Sequence, residues 1–508
     1  MNSKIKSIII CAVVIVCLGV TLLVLNLTGK NDDSSSDISS SIADSKSAIP
    51  LMNGIADNLD NTYVKSVEIT NEKDSFTISQ IKSKTAEWEI KELKEIEQSN
   101  IVYSALASGI ASLSATDIVE ENAGDLSKYG LKNPKTKFTV EFSDDKNTKK
   151  TYLIGDVSPK DSDYYICEDG KSTVYTIDSG SLAYFFYTKE DFISLTLLDK
   201  PASDDDYPDF IKETISVKSL GYDMVITTPK ETLDYMPSAQ VMTEPVFAYL
   251  DVTNSASITH GMWGLSASAA VVAHPDKNDF KKYGISDPMT KVTLKTGDGT
   301  YTLSIGNPIY AKDSDGKETS AVEYYYTYLD GVSGKDVIFK VSTASLPWAG
   351  VNPSDFISGL MTYNAATDLK SVVVDDGKEK TEFKLKSVVD PDAEADEDGQ
   401  KQMLLNSVTS NGKSLDVEVW KGWYQYLLQC PTTEVYFKEP ETECYLTVSI
   451  NRNDGGKDVL KFFKDTTRRT IVKLNGKTSY RIESSYVNKL VSNMKLAIEG
   501  KEINTDDL

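Results

Sequence analysis

Two distant stretches of the chain carry nearly the same sequence, and this repetition constrains the fold more than any other feature. Residues 125–140 read DLSKYGLKNPKTKFTV, and residues 279–294 read DFKKYGISDPMTKVTL. They share Asp, Lys, Tyr, Gly, Pro, Thr, Lys and Thr at equivalent positions, and each apolar residue of the first is replaced by another apolar residue. A match of this length over such a separation is typical of a chain built from repeated structural units.

The residues after each stretch correspond as well. Thr151–Gly155 and Tyr301–Gly306 are alternating runs that end at glycine, a pattern that predicts strands. Val174–Leu182 and Ile338–Leu346 each pass from strand spacing to a Ser/Thr/Asp helix cap, and Ser479–Val487 shows the same change a third time. We therefore predict three units.

A helix is predicted in the first half of each unit. Apolar residues recur at helical spacing in residues 102–113 and 258–265, and again in residues 419–428 before Pro431. In the third unit, the short segment Lys438–Thr442 replaces the repeated Tyr-Gly phrase, so this unit is degenerate.

Each unit also opens with an apolar alternating strand, at Val67–Ile69, Ile215–Val217 and Val372–Val374. Hairpin signals such as Gly297–Gly299 lie between strands too close together for parallel crossovers. Two strands, a helix, a short strand, three or four antiparallel strands and a closing helix predict an α+β fold of tandem units. The predicted units span residues 51–201, 202–362 and 363–508.

The N-terminal segment predicts a membrane anchor. Lys4 and Lys6 precede Ser7–Leu27, which is strongly apolar except at four positions. About 20 helical residues cross the roughly 30 Å hydrocarbon core of a bilayer. With the lysines on the short side and Asp32 and Asp33 beyond the apolar run, the positive-inside rule places the N terminus in the cytoplasm and the rest outside.

A cleaved signal peptide and a lipoprotein are the alternatives to this anchor. A signal peptide has a shorter apolar core and an Ala-x-Ala-like site after it, and neither is present. A lipoprotein needs a small residue before its cysteine, whereas Cys11 follows Ile10 and Cys17 follows Val16. We predict an uncleaved single-pass anchor in residues 1–30, followed by a flexible stalk. The stalk, rich in Ser and Asp, spans residues 31–50.

Charge narrows the classes of partner. The chain of 508 residues carries a formal net charge of −22 and is 40% hydrophobic, which is enough for three modest cores. Nucleic acid and anionic lipid headgroups are bound through basic patches, so the charge argues against both partners. It is compatible with a cationic patch on a protein partner, and also with solubility alone.

Cysteine offers little chemistry. Cys11 and Cys17 lie in the predicted membrane segment, which leaves Cys167, Cys430 and Cys444 outside it. An odd number without repeated spacing is no disulfide framework, although Cys430 with Cys444 would be able to form one bridge. The chain has no Cys-x-x-Cys pair, which disfavours a zinc or thiol-redox site.

Catalytic patterns are weak. His260 lies within the second predicted helix and His274 in a polar loop before Pro275; neither has a counterpart in the other units, so we expect structural roles. Residues 264–268 read GLSAS, which begins like a nucleophile elbow but ends in serine and does not follow a strand. No Walker-type phosphate-binding loop is present.

Two acidic runs resemble the first half of a calcium loop. In residues 394–399, Glu394, Asp396 and Asp398 precede a glycine, but the twelfth position is Leu405. In residues 313–316 the corresponding position is Val322. Since neither residue can supply the bidentate carboxylate, we expect acidic turns and predict no metal.

Tyrosines have two interpretations. Tyr324, Tyr326 and Tyr328 share one face of a predicted strand, and Tyr164–Tyr165 occupies the same place in the first unit; such a stripe binds glycans by stacking or packs within a sheet. Gly130, after Tyr129, is expected to have positive φ at a helix end, as is Gly284 after Tyr283. A docking role for these loops is the alternative.

Three of these features together resemble a known family. The Tyr-Gly-Leu-x-x-Pro phrase at Tyr129, the strand ending at Gly155 and the Val-Tyr-x-Ile strand at Val174 are similar to the bacterial family called domain of unknown function 4340. The resemblance covers residues 67–198 and 215–360. After Asp368 it is limited to the closing strand and helix.

The resemblance implies a partner and no reaction. The family has no established activity, and its members are commonly encoded beside ABC-type export systems of the gliding-motility kind. In the third unit, Lys464 stands in place of the glycine that ends the corresponding strand of the first two units.

Two functions from different classes follow. The first is a noncatalytic, membrane-anchored extracytoplasmic binding or scaffold protein, accessory to an ABC-type exporter. The second is a cell-envelope enzyme such as a carboxylate-dependent glycan hydrolase, which requires a paired acid and base in a cleft. Repetition favours the first, and we predict no catalytic residue and no cofactor.

Overall fold

The computed structural model describes residues 48–82, 86–159, 163–229, 237–395, 399 and 401–503. From Pro50 onward the described chain forms one compact unit. The predicted anchor in residues 1–30 and residues 31–47 of the predicted stalk lie outside the described residues, whereas Ile49 and Pro50, at the end of the predicted stalk, form a short strand. Within the described residues, no helix is long and apolar enough to cross a membrane.

The first sheet has eight antiparallel strands, in the order β4-β3-β2-β7-β8-β9-β10-β6. A helix, α1 (Asn100–Ala111), begins after Ser99, whose side chain accepts a hydrogen bond from the backbone N–H of Val102. The strands are β2 (Val64–Thr70), β3 (Ser75–Lys82), β4 (Glu87–Ile90), β6 (Asp117–Glu120), β7 (Thr136–Phe142), β8 (Lys149–Val157), β9 (Tyr164–Glu168) and β10 (Val174–Ile177). Two shorter strands are β1 (Ile49–Pro50) and β5 (Ser114–Ala115).

The second sheet has nine antiparallel strands, in the order β14-β13-β12-β11-β16-β17-β18-β19-β15. Its helices are α2 (Val252–Thr259), capped by Asp251, and α3 (Lys277–Lys282), capped by Asp276. The strands are β11 (Phe210–Val217), β12 (Asp223–Thr227), β13 (Val241–Glu244), β14 (Ala248–Tyr249), β15 (Ala269–Ala273), β16 (Thr290–Thr296), β17 (Thr300–Lys312), β18 (Glu318–Asp330) and β19 (Val337–Ser342).

The third sheet has eight antiparallel strands, in the order β23-β22-β21-β20-β24-β25-β26-β27. Its helices are α4 (Val417–Leu428), capped by Asp416, and α5 (Ser484–Glu499). The strands are β20 (Leu369–Asp375), β21 (Lys380–Val389), β22 (Met403–Ser410), β23 (Lys413–Leu415), β24 (Cys444–Arg452), β25 (Lys457–Lys464), β26 (Arg469–Leu474) and β27 (Lys477–Glu483).

The three sheets share one strand order. Strands β2, β11 and β20 each pair on one side with the next strand along the chain and on the other side with the strand that comes after the helix. The strand equivalent to β6 and β15 is reduced in the third sheet to one bridge between Val435 and Tyr480. The fold is thus mainly antiparallel sheet with few helices, and the predicted unit boundaries stay predictions.

The closing helix was predicted wrongly for the first two units. After β10 and β19 the chain forms only 3-10 turns, at Gly180–Phe186 and Thr343–Ser345, whereas α5 is a full helix. The turn after β10 contains three aromatic residues, which have low helix propensity, and the turn after β19 is followed two residues later by Pro347. A serine cap alone therefore does not establish a helix.

A second repeated phrase was missed in the sequence. Asp191–Ser194 and Asp355–Ser358 both read Asp-Phe-Ile-Ser. In each, the phenylalanine carbonyl accepts a hydrogen bond from the backbone N–H of the helix-capping residue, Ser99 at 2.8 Å and Asp251 at 2.9 Å. The phrase therefore binds the end of each of the first two sheets to the start of its own helix.

The segment that joins the first sheet to the second also contacts the end of the helix of the second sheet. The backbone N–H of Leu197 donates to the carbonyl of Leu265, just after α2, at 2.8 Å. Leu51 makes the same bond to Leu113, just after α1, at 2.9 Å. Each of these helix ends is covered by the segment that precedes its own sheet, which holds the sheets in one compact unit.

Candidate functional site

The repeated Tyr-Gly phrase ends a short helical segment in both sheets. Gly130 has φ +68° after the turn Leu126–Tyr129, and Gly284 has φ +77° after α3. The next residues, Leu131 and Ile285, are buried. Side chains with a Cβ rarely adopt this conformation, so the predicted conformational role of the glycines is confirmed.

A second glycine lets each loop touch its sheet. A Cβ atom on Gly155 would lie 2.0 Å from the carbonyl oxygen of Tyr129, and one on Gly306 would lie 2.3 Å from that of Tyr283. The third sheet lacks the loop, and there Lys464 is accommodated. Two distant glycines are therefore parts of one loop-to-strand contact.

The tyrosine of each loop packs on its sheet. The rings of Tyr129 and Tyr165 are 4.9 Å apart between centroids, and those of Tyr283 and Tyr326 are 4.6 Å apart. The hydroxyl of Tyr129 also donates to the Glu120 carboxylate at 2.6 Å. The structural interpretation accounts for both tyrosines, and a docking role is not needed to explain them.

The predicted tyrosine stripe lies on β18. Tyr324 and Tyr328 are half-buried on its outer face, while Tyr325 is buried on the other face. The Lys340 ammonium lies 3.7 Å from the Tyr324 ring centroid, and the Tyr328 hydroxyl donates to Asp336 at 3.0 Å. Each of these rings already contacts the protein, which favours the packing interpretation.

Beside the first loop, the first sheet has an open cleft of about 240 Å³. Five separate segments of the chain meet here, so no local sequence motif predicts the site. We call it the first-sheet cleft. Its lining residues are 71–73, 135–136, 154–157, Tyr164 and Phe186.

One side of the first-sheet cleft is held by the β2–β3 turn. The Asn71 side-chain amide donates to the carbonyls of Phe185 at 3.1 Å and Tyr187 at 2.8 Å. Asp74 accepts from the Lys189 backbone N–H at 3.0 Å and from its ammonium at 3.3 Å. Burial opposes ionisation of Asp74, but these bonds outweigh it and lower the pKa of its carboxyl. The turn is therefore fixed before any ligand arrives.

The other side of the cleft is apolar. The rings of Tyr164 and Phe186 contact each other with centroids 5.1 Å apart, at an angle of 39°. Val157, at the end of β8, is 51% exposed. An aromatic pair and an exposed aliphatic residue form an apolar surface here. Binding of a ligand over this surface is favourable because it removes apolar area from water.

Charges of both signs surround this apolar wall. The Lys135 ammonium lies 3.5 Å from the Glu72 carboxylate, and both side chains are largely exposed. The Lys73 ammonium lies 3.4 Å from the Phe186 carbonyl, and Asp156 lies against Gly130. Exposed ion pairs contribute little to stability, so these groups are available to a ligand.

Two of the lining residues of the cleft carry carboxylates, Glu72 and Asp156. The hydrolase alternative requires such a pair. In the second sheet, Asn307 occupies the position of Asp156 against the loop glycine, Gly284. Its side-chain amide donates to the Lys282 carbonyl at 3.0 Å. The charged form of this position thus belongs to the first sheet and not to the second.

The two histidines lie apart from the cleft. His260 follows α2, where Nδ1 is 2.8 Å from the Thr259 hydroxyl, and burial lowers the pKa of His260. His274 has φ +50°, and its ring bridges two sheets: Nδ1 is 3.1 Å from Asp336, and Nε2 is 3.1 Å from the Lys94 carbonyl. His274 is a contact residue between sheets as well as a loop residue.

The described residues of the other predicted motifs make local contacts. The Ser266 hydroxyl of the GLSAS run donates to the Gly264 carbonyl at 3.4 Å. The Asp313 carboxylate accepts the N–H groups of Asp315 at 3.0 Å and Lys317 at 2.9 Å, which makes a turn. In the acidic run of residues 394–399, residues 396–398 lie outside the described residues. The described residues contain no cluster of three His, Cys, Asp or Glu able to hold a metal.

The three described cysteines are free, so Cys430 and Cys444 do not form the bridge considered above. Cys444 is exposed on β24, whereas Cys167 and Cys430 are buried. Burial raises the pKa of the Cys430 thiol to about 12 and that of Cys167 to about 11. Thiols in apolar surroundings remain protonated and unreactive.

The most unusual buried group is one that sequence reasoning missed. Glu213 on β11 is 1% exposed, and its Oε1 accepts from the Trp348 indole N–H at 3.0 Å. Glu213 lies opposite Leu294, as Val67 lies opposite Val140, so the strand equivalent to Val67–Ile69 begins two residues earlier than predicted. A carboxyl thus takes the place of a core valine.

Comparison with known families found a match that covers part of the first sheet. Residues 88–205 match the model of a family described as Domain of unknown function (DUF4340). The matched range includes most of the first-sheet cleft, from Lys135 to Phe186, and excludes residues 215–360, for which a resemblance was also predicted. Comparisons with curated proteins and with solved structures found no match. The match supports the assignment of residues 88–205 to the DUF4340 family.

Proposed function

We propose that this protein is a noncatalytic, membrane-anchored extracytoplasmic binding or scaffold protein, accessory to an ABC-type export system of the gliding-motility kind. One observation carries the binding role: the family domain contains a preformed cleft with an apolar wall and charges of both signs. The anchor and the orientation follow from the N-terminal sequence, and the exporter from the family resemblance.

The size of the first-sheet cleft defines what it accepts. At about 240 Å³ it is smaller than the roughly 300–1,000 Å³ of sites that enclose a whole small ligand. It fits one bulky side chain or one sugar ring. The ligand is therefore a local feature of a larger molecule, which suits a protein partner in the envelope.

The binding mode follows from the two sides of the cleft. An apolar group of the partner covers Val157 and Phe186. Charged groups beside it form ion pairs with Lys135 and Glu72, in place of the ion pair that these two residues make with each other. Because Asn71 already holds the β2–β3 turn, little conformational entropy is lost on binding.

Copurification tests this proposal. We expect ABC-type transport subunits to copurify with the tagged full-length protein and to be lost with Val157→Glu, which puts a charge on the apolar wall. Ile101→Glu is the matched control, since Ile101 is 83% exposed on α1 and does not line the cleft. Equal recovery with both variants would remove the cleft from the proposal; absence of transport subunits from the wild-type sample would remove the exporter.

The hydrolase alternative is kept because Glu72 and Asp156 both line the first-sheet cleft. It requires turnover of a cell-wall glycan by the full-length protein. Glu72→Gln and Asp156→Asn should then each abolish turnover, since one carboxyl acts as acid and the other as base or nucleophile. Reproducible turnover with this dependence would replace the scaffold proposal.

A further inference from the structure

The hairpin of β21 and β22 extends beyond the third sheet. β21 has 10 residues and β22 has 8, against 8 and 4 for the equivalent β3 and β4. At its outer end, Val388 pairs with Leu404 and Val389 with Met403. The neighbouring strand β20 pairs with β21 only as far as Lys384, so the end of the hairpin projects from the sheet.

This projecting end is apolar. Val389 is 55% exposed, Met403 is 45% exposed and Leu404 is 41% exposed. Val389 and Met403 lie opposite each other and share one face of the hairpin, whereas Leu404 lies opposite Val388 on the other face. We call Val389 and Met403 the hairpin tip. Large apolar residues that are exposed singly are common, but a pair of them side by side on a projecting element is typical of an interaction surface.

The base of the hairpin is fixed to the sheet. The Ser387 hydroxyl donates to the Thr367 carbonyl at 2.8 Å, next to the apolar pairs. Beyond the tip, the Asp390 N–H donates to the Gln402 carbonyl at 2.8 Å, which continues the ladder. The hairpin tip is therefore presented by a paired, ordered backbone, which reduces the entropic cost of binding.

The residues beside the tip are acidic. Asp390 follows Val389 directly, and Asp392 and Glu394 come next; all are exposed or half-exposed. The Lys401 ammonium donates to the Pro391 carbonyl at 3.1 Å and so is held at the turn. Any molecule that covers the hairpin tip therefore meets an excess of negative charge.

We propose that the hairpin tip docks a protein segment that presents an apolar face flanked by lysine or arginine. Burial of Val389 and Met403, which share one face of the hairpin, provides affinity, and the flanking cations complement Asp390, Asp392 and Glu394. Anionic lipid headgroups carry the wrong charge for this surface. The inference rests on the proposed binding function only in placing the hairpin where an envelope partner reaches it.

The test uses full-length protein in phosphatidylcholine nanodiscs, with empty discs as the reference. The probe is a fluorescent amphipathic helix of about 18 residues, five turns, made of leucine and lysine, read by anisotropy at about 0.15 M salt. Its partner probe has glutamate in place of lysine. We expect the lysine peptide to bind and the glutamate peptide not to bind.

Two sets of variants locate the contact. Changing Val389 and Met403 together to serine should weaken binding of the lysine peptide about tenfold or more, since exposed anchors are removed without touching the core, whereas Leu404→Ser, on the opposite face, should have little effect. Ile101→Ser, at a distant exposed position, should change nothing. The cleft is tested separately by copurification, so failure of the cleft and failure of the tip are separate results.

A third set of variants tests the charges. Neutralising Asp390, Asp392 and Glu394 to their amides should weaken binding of the lysine peptide and reduce its salt dependence. Neutralising Asp199, Asp204 and Asp205, which are exposed elsewhere, removes the same number of charges and is the matched control. Equal losses in both sets would assign the binding to net charge and overturn the proposal. Equally, tip-dependent binding of phosphatidylglycerol vesicles to the wild-type protein would identify a lipid occupant and overturn it.

Discussion

Replacement of the buried carboxyl of Glu213 should change how stability depends on pH. Burial raises the pKa of Glu213 from 4.5 to about 8, although the Trp348 hydrogen bond acts in the opposite direction. Within the described part of the chain, Oε2 has no hydrogen-bond partner. The folded protein therefore holds this group as the neutral acid at neutral pH.

The direction in which stability changes with pH follows from proton binding to the folded and unfolded chains. Below about pH 4.5 the folded and unfolded chains are both protonated, and the group has no effect on the pH dependence. Between about pH 4.5 and 8 the unfolded chain has lost a proton that the folded chain keeps, so stability falls by about 1.4 kcal/mol per pH unit. From about pH 5 to 7 the loss is roughly 3 kcal/mol. Above about pH 8 the loss is complete.

Glu213→Gln tests this reasoning because the amide keeps the shape and an acceptor for Trp348 but does not ionise. In urea titrations, the free energy of unfolding of the variant minus that of the wild type should rise by roughly 3 kcal/mol between about pH 5 and 7. Glu68→Gln, on the exposed face of β2, is the control and should follow the wild type. Parallel pH profiles for wild type and Glu213→Gln would refute the buried-acid interpretation.

Three further predictions concern the loop, the thiols and the topology. Gly155→Ala should lower the free energy of unfolding by about 1–3 kcal/mol, since its Cβ would overlap the loop carbonyl, whereas Gly124→Ala, with open space around it, should not; equal thermal melting would contradict this. Cys444 should react with maleimide in the folded protein and Cys430 only after denaturation, as read by mass spectrometry of the labelled peptides; labelling of both at the same rate would show that Cys430 is accessible. Protease added to intact protoplasts should digest the chain beyond residue 31; full protection would reverse the topology, and release into the medium would indicate signal cleavage.

Local features follow from the sequence alone. Gly130 and Gly284 have the positive φ expected after Tyr129 and Tyr283, because that conformation depends on the absence of a Cβ atom and on a helix end nearby. The alternating runs became antiparallel strands because period-two burial is also a local property. The α+β class and the family resemblance in residues 88–205 rest on such features.

Contacts between distant segments required the structure. The equivalence of Glu213 with Val67 depends on which residue of the neighbouring strand each one faces, Leu294 and Val140, and apolar spacing does not reveal this register. The closing turn of the first sheet is held by a tertiary contact, since the Phe185 ring stacks on Phe138 of β7 with centroids 3.8 Å apart. The first-sheet cleft joins Asn71, Lys135 and Phe186, which lie far apart along the chain and meet only when the sheet forms, because tertiary packing and not local propensity brings them together.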